Sequence, residues 1–210
     1  MRRMQILISQ QVNVEPSYGE RRDTLDQAWH ATLLDLFGEV RLMPVPNNER
    51  LAAALLDGAA VDLIVLTGGN DLAHLPGASR PAPERDAVER QLLEIATGRR
   101  LPLLAVCRGF QHMNVVLGGG LSPCEGHVAV EHMLTSDGDE PPIRVNSFHN
   151  FGIRSSDLSK ELRPDYVDED NWVEAAAHHK LPWLGIMWHP ERSNSDSAEQ
   201  AGFIRRFFAA

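Results

Sequence analysis

Apolar residues along this chain fall into two alternating rhythms, short unbroken runs and longer stretches at helical spacing. Residues 5–9 form a first short run and predict a buried strand. The polar stretch 10–23, broken by Pro16 and Gly19, predicts a loop. Residues 25–37 carry apolar positions at helical spacing and stop at Gly38. Residues 40–45 predict a second strand, cut short by Pro44 and Pro46, and residues 48–57 a helix that stops at Gly58. Residues 61–66, apolar apart from Asp62 and partly β-branched, predict a central parallel strand and break into Thr67-Gly68-Gly69-Asn70-Asp71. Residues 83–97 predict a helix with Pro83 in its first turn and Gly98 past its end. Residues 103–106 predict the next strand and 108–117 the helix after it, ended by Gly118, Gly119 and Gly120.

This alternation predicts an α/β fold with a mostly parallel sheet. The second half changes character, with short strands expected at 143–146, 172–177 and 183–188 and an amphipathic helix at 198–208. No internal repeat, low-complexity tract or linker interrupts the pattern, so residues 1–210 are read as a single domain.

Composition narrows the class. A hydrophobic content of 43% with mixed charge describes a globular chain. The net charge of −9 argues against a nucleic-acid binder, although local arginines can still receive an anionic small molecule. Two cysteines imply no disulfide framework, so a reducing compartment is expected. Residues 1–9 have two positive charges but too short an apolar stretch for a signal peptide, and no run reaches a membrane span. The expectation is a cytoplasmic enzyme without membrane or nucleic-acid partners.

The candidate chemistry starts at Cys107. A free cysteine is ordinarily a small buried hydrophobe. This one ends an apolar strand, with Ala105 two residues before it and Gly109 two after, followed by a helix. Such a sharp strand-to-helix turn exposes a nucleophile at a helix N-terminus, where a thiolate is favoured. Cys124, beside Pro123, lacks this context and is read as incidental. A thiol nucleophile needs a base and an orienting group. His189 ends an apolar run, and Glu191 lies two residues on, so in extended backbone both side chains point the same way. His178 and His179 are rival bases but precede a lysine in what reads as a surface turn. The Gly68-Gly69 turn can present backbone N–H groups to an oxyanion, with Gly69 joined by the N–H of Arg108. His127 and His132, five residues apart, lack further partners at zinc spacing, and no metal or cofactor is expected. Arg21, Arg22 and Arg108 are candidate anion contacts, with a solvated surface role the default for the first two.

Four motifs in order, Thr67-Gly68-Gly69-Asn70-Asp71, Cys107-Arg108-Gly109-Phe110-Gln111, Val145-Asn146-Ser147-Phe148-His149-Asn150 and Trp188-His189-Pro190-Glu191, resemble the class I glutamine amidotransferase-like hydrolases. The resemblance implies a three-layer, flavodoxin-like α/β sandwich and a triad of Cys107, His189 and Glu191. It also implies substrate contacts at Gly68, Asn70, Gln111, Asn146, Ser147, Phe148 and His149. Within that superfamily the chain is similar to the free-standing γ-glutamyl hydrolases. Likeness at residues 18–22, 68–72, 145–149 and 186–192 implies a nucleotide-linked γ-glutamyl amide as substrate, with glutamate and cytidine diphosphoramidate as products. Arg21 and Arg22 would then face the phosphate-bearing leaving group. Another γ-glutamyl amine, a glutaminase subunit that feeds ammonia to a synthetase, and a non-catalytic binding protein remain open alternatives. Oligomeric state is open too, because the apolar face of Phe203, Phe207 and Phe208 can pack internally or against a second copy in a homodimer.

Overall fold

The computed structural model describes residues 2–138, 140–192 and 196–209. In chain order its first half contains strands β1 (Met4–Ser9), β2 (Gln11–Val14) and β3 (Arg21–Thr24), helix α1 (Ala28–Phe37), strand β4 (Val40–Val45), helix α2 (Glu49–Leu56), strand β5 (Leu63–Leu66), helix α3 (Pro83–Arg99), strand β6 (Leu103–Val106) and helix α4 (Arg108–Val116). Strands β7 (Ser122–Pro123), β8 (Val128–Leu134), β9 (Ile143–Phe148), β10 (Phe151–Gly152), β11 (Leu162–Val167), β12 (Val173–His178) and β13 (Trp183–Ile186) follow, then helix α5 (Ser197–Ala209).

A seven-stranded sheet in the order β11-β12-β13-β6-β5-β1-β4 forms the middle layer. Strands β4, β1, β5, β6 and β13 pair in parallel, while β12 and β11 run antiparallel at one edge. This parallel order is that of flavodoxin-like folds, whose ligands sit at the carboxyl ends of the strands. The period-two rhythm of the buried strands sorts their side chains onto two faces. Ile6, Ile8, Leu63, Val65, Leu104 and Val106 join Trp29, Leu33, Phe203 and Ile204 of α1 and α5 on one side. Leu7, Ile64, Leu66, Leu103 and Ala105 meet Ala52 of α2, Val88 and Leu92 of α3, and Phe110 and Met113 of α4 on the other. The three-layer expectation therefore matches the architecture. Phe207 and Phe208 also turn inward, with the Phe208 ring 6.0 Å from that of Phe37.

Several boundaries differ from the sequence reading. The expected loop at 10–23 contains the β2–β3 ribbon, whose residues are too polar to show strand periodicity. The first helix begins at Ala28 because the Asp26 carboxylate accepts the Ala28 N–H at 2.9 Å. Helix α3 runs through Gly98 and stops at Arg100, which takes the left-handed conformation (φ 52°). Strands β8 and β11 were not expected. The first is largely exposed and shows no clean apolar alternation, and the second contains Pro164 and an irregular register against β12. The last sheet strand ends at Ile186, short of the expected Trp188. Gly109 has a packing reason, since a Cβ there would overlap the Leu66 carbonyl oxygen and push α4 away from β5.

Candidate active site

Parallel pairing brings three chain segments to one sheet edge. Leu66 of β5 pairs with Ala105 of β6, so Gly68 and Gly69 emerge beside Cys107. Val106 pairs with Ile186 of β13, and the Cys107 N–H donates to the Ile186 carbonyl at 2.8 Å. The chain beyond Met187 thus leaves the sheet next to the sulfur. Cys107 has φ 50° and ψ −109°, a conformation rare for a residue with a side chain. Such strain concentrates at functional sites and costs about 1–3 kcal/mol. Here it turns the side chain out of the strand direction at the start of α4.

His189 Nδ1 lies 2.7 Å from Glu191 Oε1, which leaves the other imidazole nitrogen for the Cys107 thiol that shares its cavity. The pairing arises in a turn containing Pro190 rather than in extended backbone, so the two-residue spacing succeeds for a different geometric reason. Asn146 braces this turn. Its Oδ1 accepts the His189 N–H at 2.8 Å, and its Nδ2 donates to the carbonyls of His189 and Arg192 at 2.9 and 2.8 Å. Gly68 closes the rear, because a Cβ there would sit 2.6 Å from His189 Cε1.

Burial pushes the Cys107 thiol up, but the charge and hydrogen bond of His189 outweigh it and the net shift is downward. Burial pulls His189 down, yet the Cys107 charge and hydrogen bonds to Cys107 and Glu191 raise it to about 9. Each group thus favours the charged form of the other, a thiolate beside an imidazolium. The thiolate is present above its lowered pKa, and the imidazolium is lost as pH rises through about 9. Alkylation of Cys107 by iodoacetamide is accordingly expected to be faster at pH 7 than for an ordinary thiol. In Glu191→Gln the imidazolium loses its carboxylate, and this loss to the thiolate outweighs removal of the Glu191 charge, which by itself raises the thiol. The thiol pKa then rises toward that of an ordinary cysteine, and the alkylation rate at pH 7 should fall about tenfold. An unchanged alkylation profile in that variant would show that Glu191 does not act on the pair.

A buried ionic network fixes the Thr67–Asn70 turn. Fully buried Arg85 of α3 donates to the carbonyls of Thr67, Gly68 and Gly69 at 2.6, 3.0 and 2.9 Å. Its Nε is 2.8 Å from Glu89, which also pairs with Arg108. Burial pushes Glu89 up, but the Arg108 and Arg85 charges overcome it and hold the carboxyl at about 2. The Arg108 side chain, paired with Glu89 and Asp86, is thus committed inside the protein and corrects the reading of it as an anion contact. Its backbone N–H, in the first turn of α4, has no intrahelical partner.

The cavity at Cys107 holds about 270 Å³ and is lined by Gly69, Asn70, Arg108, Gln111, Phe148, His149 and His189, among others. Gln111 Nε2 donates to the Phe151 carbonyl at 2.8 Å, and the Phe148 ring stands edge-on to His189 at 5.8 Å. His149 Nδ1 lies 3.0 Å from the Phe151 carbonyl and 3.4 Å from Cys124 Sγ, so Cys124 is not incidental. Three expected substrate contacts are used differently. Ser147 is fully buried and donates to the His127 carbonyl at 2.8 Å, and Asn146 is spent on the His189 turn. The Asn70 amide reaches the cavity wall, but it accepts from the Val12 N–H and donates to the Val12 carbonyl at 2.8 and 2.9 Å.

Arg21 and Arg22 do not line the cysteine's cavity. They line an adjoining one of about 600 Å³, where Arg21 pairs with Glu84 and Arg22 with Glu20 at 2.7 Å. Asn70, Ser79 and Arg80 border both cavities. Sequence reasoning missed Arg80, which lies outside the motifs, and Arg85, which faces inward from a helix; it quoted Arg192 in the likeness at 186–192 without giving it a role. His178 is remote from the site, its Nδ1 accepting the Lys180 and Leu181 N–H groups at 3.0 and 3.2 Å. No helix among the described residues is long and apolar enough to cross a membrane.

Comparison with known proteins identifies the family and the fold. The chain is 33% identical over 193 residues to the γ-glutamyl-CDP-amidate hydrolase of Campylobacter jejuni, covering 91% of this chain and 92% of that protein. It is 29% identical over 187 residues to the γ-glutamyl-γ-aminobutyrate hydrolase of Escherichia coli K12, covering 71% and 72%. A glutamine amidotransferase from Thermotoga maritima shares the fold with a TM-score of 0.65 at 16% identity, covering 98% of this chain and 84% of that one. The peptidase C26 family model matches residues 6–133 and 125–191. With a match of that extent across the strands and turns that carry Cys107 and His189, the chain belongs to the peptidase C26 family.

Proposed function

We propose that the protein hydrolyses a γ-glutamyl amide through Cys107, and that its substrate is γ-glutamyl-CDP-amidate, cleaved to glutamate and cytidine diphosphoramidate. The observation that carries this reading is the 33% identity with the Campylobacter jejuni enzyme across nine-tenths of both chains. The Cys107, His189 and Glu191 arrangement supplies the chemistry.

In this mechanism the Cys107 thiolate attacks the γ-carbonyl carbon, and the carbonyl electron pair moves onto oxygen. The oxyanion is received by the backbone N–H groups of Gly69 and Arg108. Arg85 supports this placement, since a trans peptide whose Gly68 carbonyl points at Arg85 aims the Gly69 N–H the opposite way. His189 delivers its proton to the leaving nitrogen, and the C–N bond breaks to leave a γ-glutamyl thioester. The neutral His189 then takes a proton from water, hydroxide attacks the thioester, and glutamate departs as the thiolate reforms. Gln111, Phe148 and His149 border the space for the glutamyl group. The adjoining larger cavity, with Arg21, Arg22 and Arg80, suits a diphosphate-bearing leaving group. Two free, buried thiols suit a reducing, cytoplasmic setting.

The Escherichia coli relative favours a second reading, in which the leaving group is an amine such as γ-aminobutyrate. Glutamate release from glutamine, γ-glutamyl-γ-aminobutyrate, γ-glutamyl-putrescine and γ-glutamyl-CDP-amidate separates the two. Preference for the CDP-amidate is expected. Arg80→Ala should lower kcat/KM for that substrate at least about tenfold, as loss of one charge-assisted contact costs about 1.5–3 kcal/mol. Preference for an amine conjugate would replace the substrate and keep the chemistry. Activity on glutamine alone would instead favour an ammonia-supplying subunit.

A further inference from the structure

Behind the cysteine's cavity lies a second cluster of polar side chains. His127 precedes β8, His132 lies within it, and Asp168 follows β11. An antiparallel bridge between Thr135 and Val167 brings the ends of those two strands together. One ligating atom from each of His127, His132 and Asp168 lies within 4.8 Å of those from the other two. The His127 and His132 rings are 4.3 Å apart between centroids.

We propose that His127, His132 and Asp168 bind a divalent transition-metal ion of the zinc class. Two histidines and a carboxylate are zinc-ligand types, and a water as fourth ligand completes the tetrahedral set. Each donor is prepared. Asp168 Oδ1 accepts the Asp170 and Trp172 N–H groups at 3.0 and 2.8 Å, which orients the carboxylate and leaves Oδ2 facing His127 Nε2 at 3.4 Å. The His132 Nε2 atom is buried without a hydrogen-bond partner. The His127 backbone is held by its carbonyl, which accepts from Ser147 Oγ at 2.8 Å and the His149 N–H at 3.0 Å. On the far side of the His127 ring, Nδ1 lies 3.8 Å from Glu174 Oε1. A carboxylate behind a metal-bound imidazole is the outer-shell arrangement that fixes ring orientation and raises ligand basicity.

Without an ion the cluster is poorly satisfied. His127 Nδ1, His132 Nε2 and both Glu174 carboxylate oxygens are buried with no hydrogen-bond partner. A cation on His127 Nε2 polarises the Nδ1–H toward Glu174 and removes that imbalance. Glu174 Oε1 is also 3.4 Å from His149 Nε2, and His149 borders the cavity of Cys107. The ion therefore buttresses the loop that carries His149 and takes no part in bond cleavage. Sequence reading sets metal aside because neither histidine has a partner at zinc spacing; the third donor, Asp168, is brought to them only by folding.

The test uses the full chain as Cys107→Ala, which removes the catalytic thiolate as a competing ligand. After chelator treatment and dialysis it is titrated calorimetrically with Zn²⁺ and, separately, followed by absorption with Co²⁺. One Zn²⁺ per chain is expected, with a rise in Tm on adding zinc. The Co²⁺ spectrum should show d–d bands without a thiolate charge-transfer band. Adding His132→Ala, or His132→Gln if the alanine variant does not fold, should weaken zinc binding more than about 100-fold. That exceeds the 10–100-fold cost of losing an outer-shell partner. Absence of stoichiometric binding, or binding unchanged by the His132 substitution, overturns the site. A thiolate charge-transfer band would also overturn it, because it assigns the ion to Cys124 with His127 and His149 instead.

Discussion

Cys107→Ala is expected to reduce glutamate release by at least about 10⁴-fold, toward the ~10⁶-fold loss seen when a nucleophile is removed from a hydrolase triad. The size of the effect follows from the geometry. The sulfur stands at the start of α4 in the same cavity as His189, whereas Cys124 lies against His149. The oxyanion-directed N–H groups and the binding cavity survive the substitution, so a small residual rate over water is expected. The fold should be little changed, because alanine meets the same backbone conformation (φ 50°) as cysteine and fills the same buried position. Steady-state glutamate release and a calorimetric Tm measured on one preparation separate these effects. Turnover within tenfold of wild type would exclude Cys107 as the nucleophile.

Arg85→Leu carries the largest expected stability cost. Arg85 and Glu89 are both fully excluded from solvent, and the arginine supplies the hydrogen bonds for three consecutive carbonyls of the Thr67–Gly69 turn. Burial pulls the Arg85 guanidinium down to about 10, although the Glu89 charge counters it, and the group stays charged at neutral pH. Glu89 keeps its Arg108 partner, so the cost falls mainly on the three buried carbonyls left without a donor, each worth about 1–3 kcal/mol, or about 3–5 kcal/mol together. For a chain of this size each kcal/mol lowers Tm by roughly 2–4 °C, so a fall of roughly 6–20 °C is expected. Arg85→Lys provides a second readout. It keeps the charge but lacks the planar fork that reaches several acceptors, so it should recover stability before it recovers kcat. A variant as stable and as active as wild type would mean that the turn is held by its strand pairing alone.

The parallel core was legible because buried strands and amphipathic helices carry their periodicity locally. The runs at residues 63–66 and 103–106 and the glycine-ended helices announced an α/β sheet without any knowledge of pairing. The elbow at Cys107 was legible for the same reason, since an apolar strand, a cysteine and a nearby glycine are contiguous in the chain. His189 and Glu191 were legible as neighbours, although the turn that joins them was not.

Local order along the chain was enough for the layered fold class and for singling out a candidate thiol, imidazole and carboxylate, because each depends on residues within a few positions of one another. The environment of those groups came from folding alone. The Arg85 network joins positions 67–70 to helix α3, and Asn146 reaches across to the backbone of His189. Arg108 turned inward, Ser147 turned toward His127, and Arg21 and Arg22 went to the adjoining cavity. His127, His132 and Asp168 converge from separate strand ends. Such contacts depend on strand order and side-chain direction in the folded chain, and no local spacing encodes them.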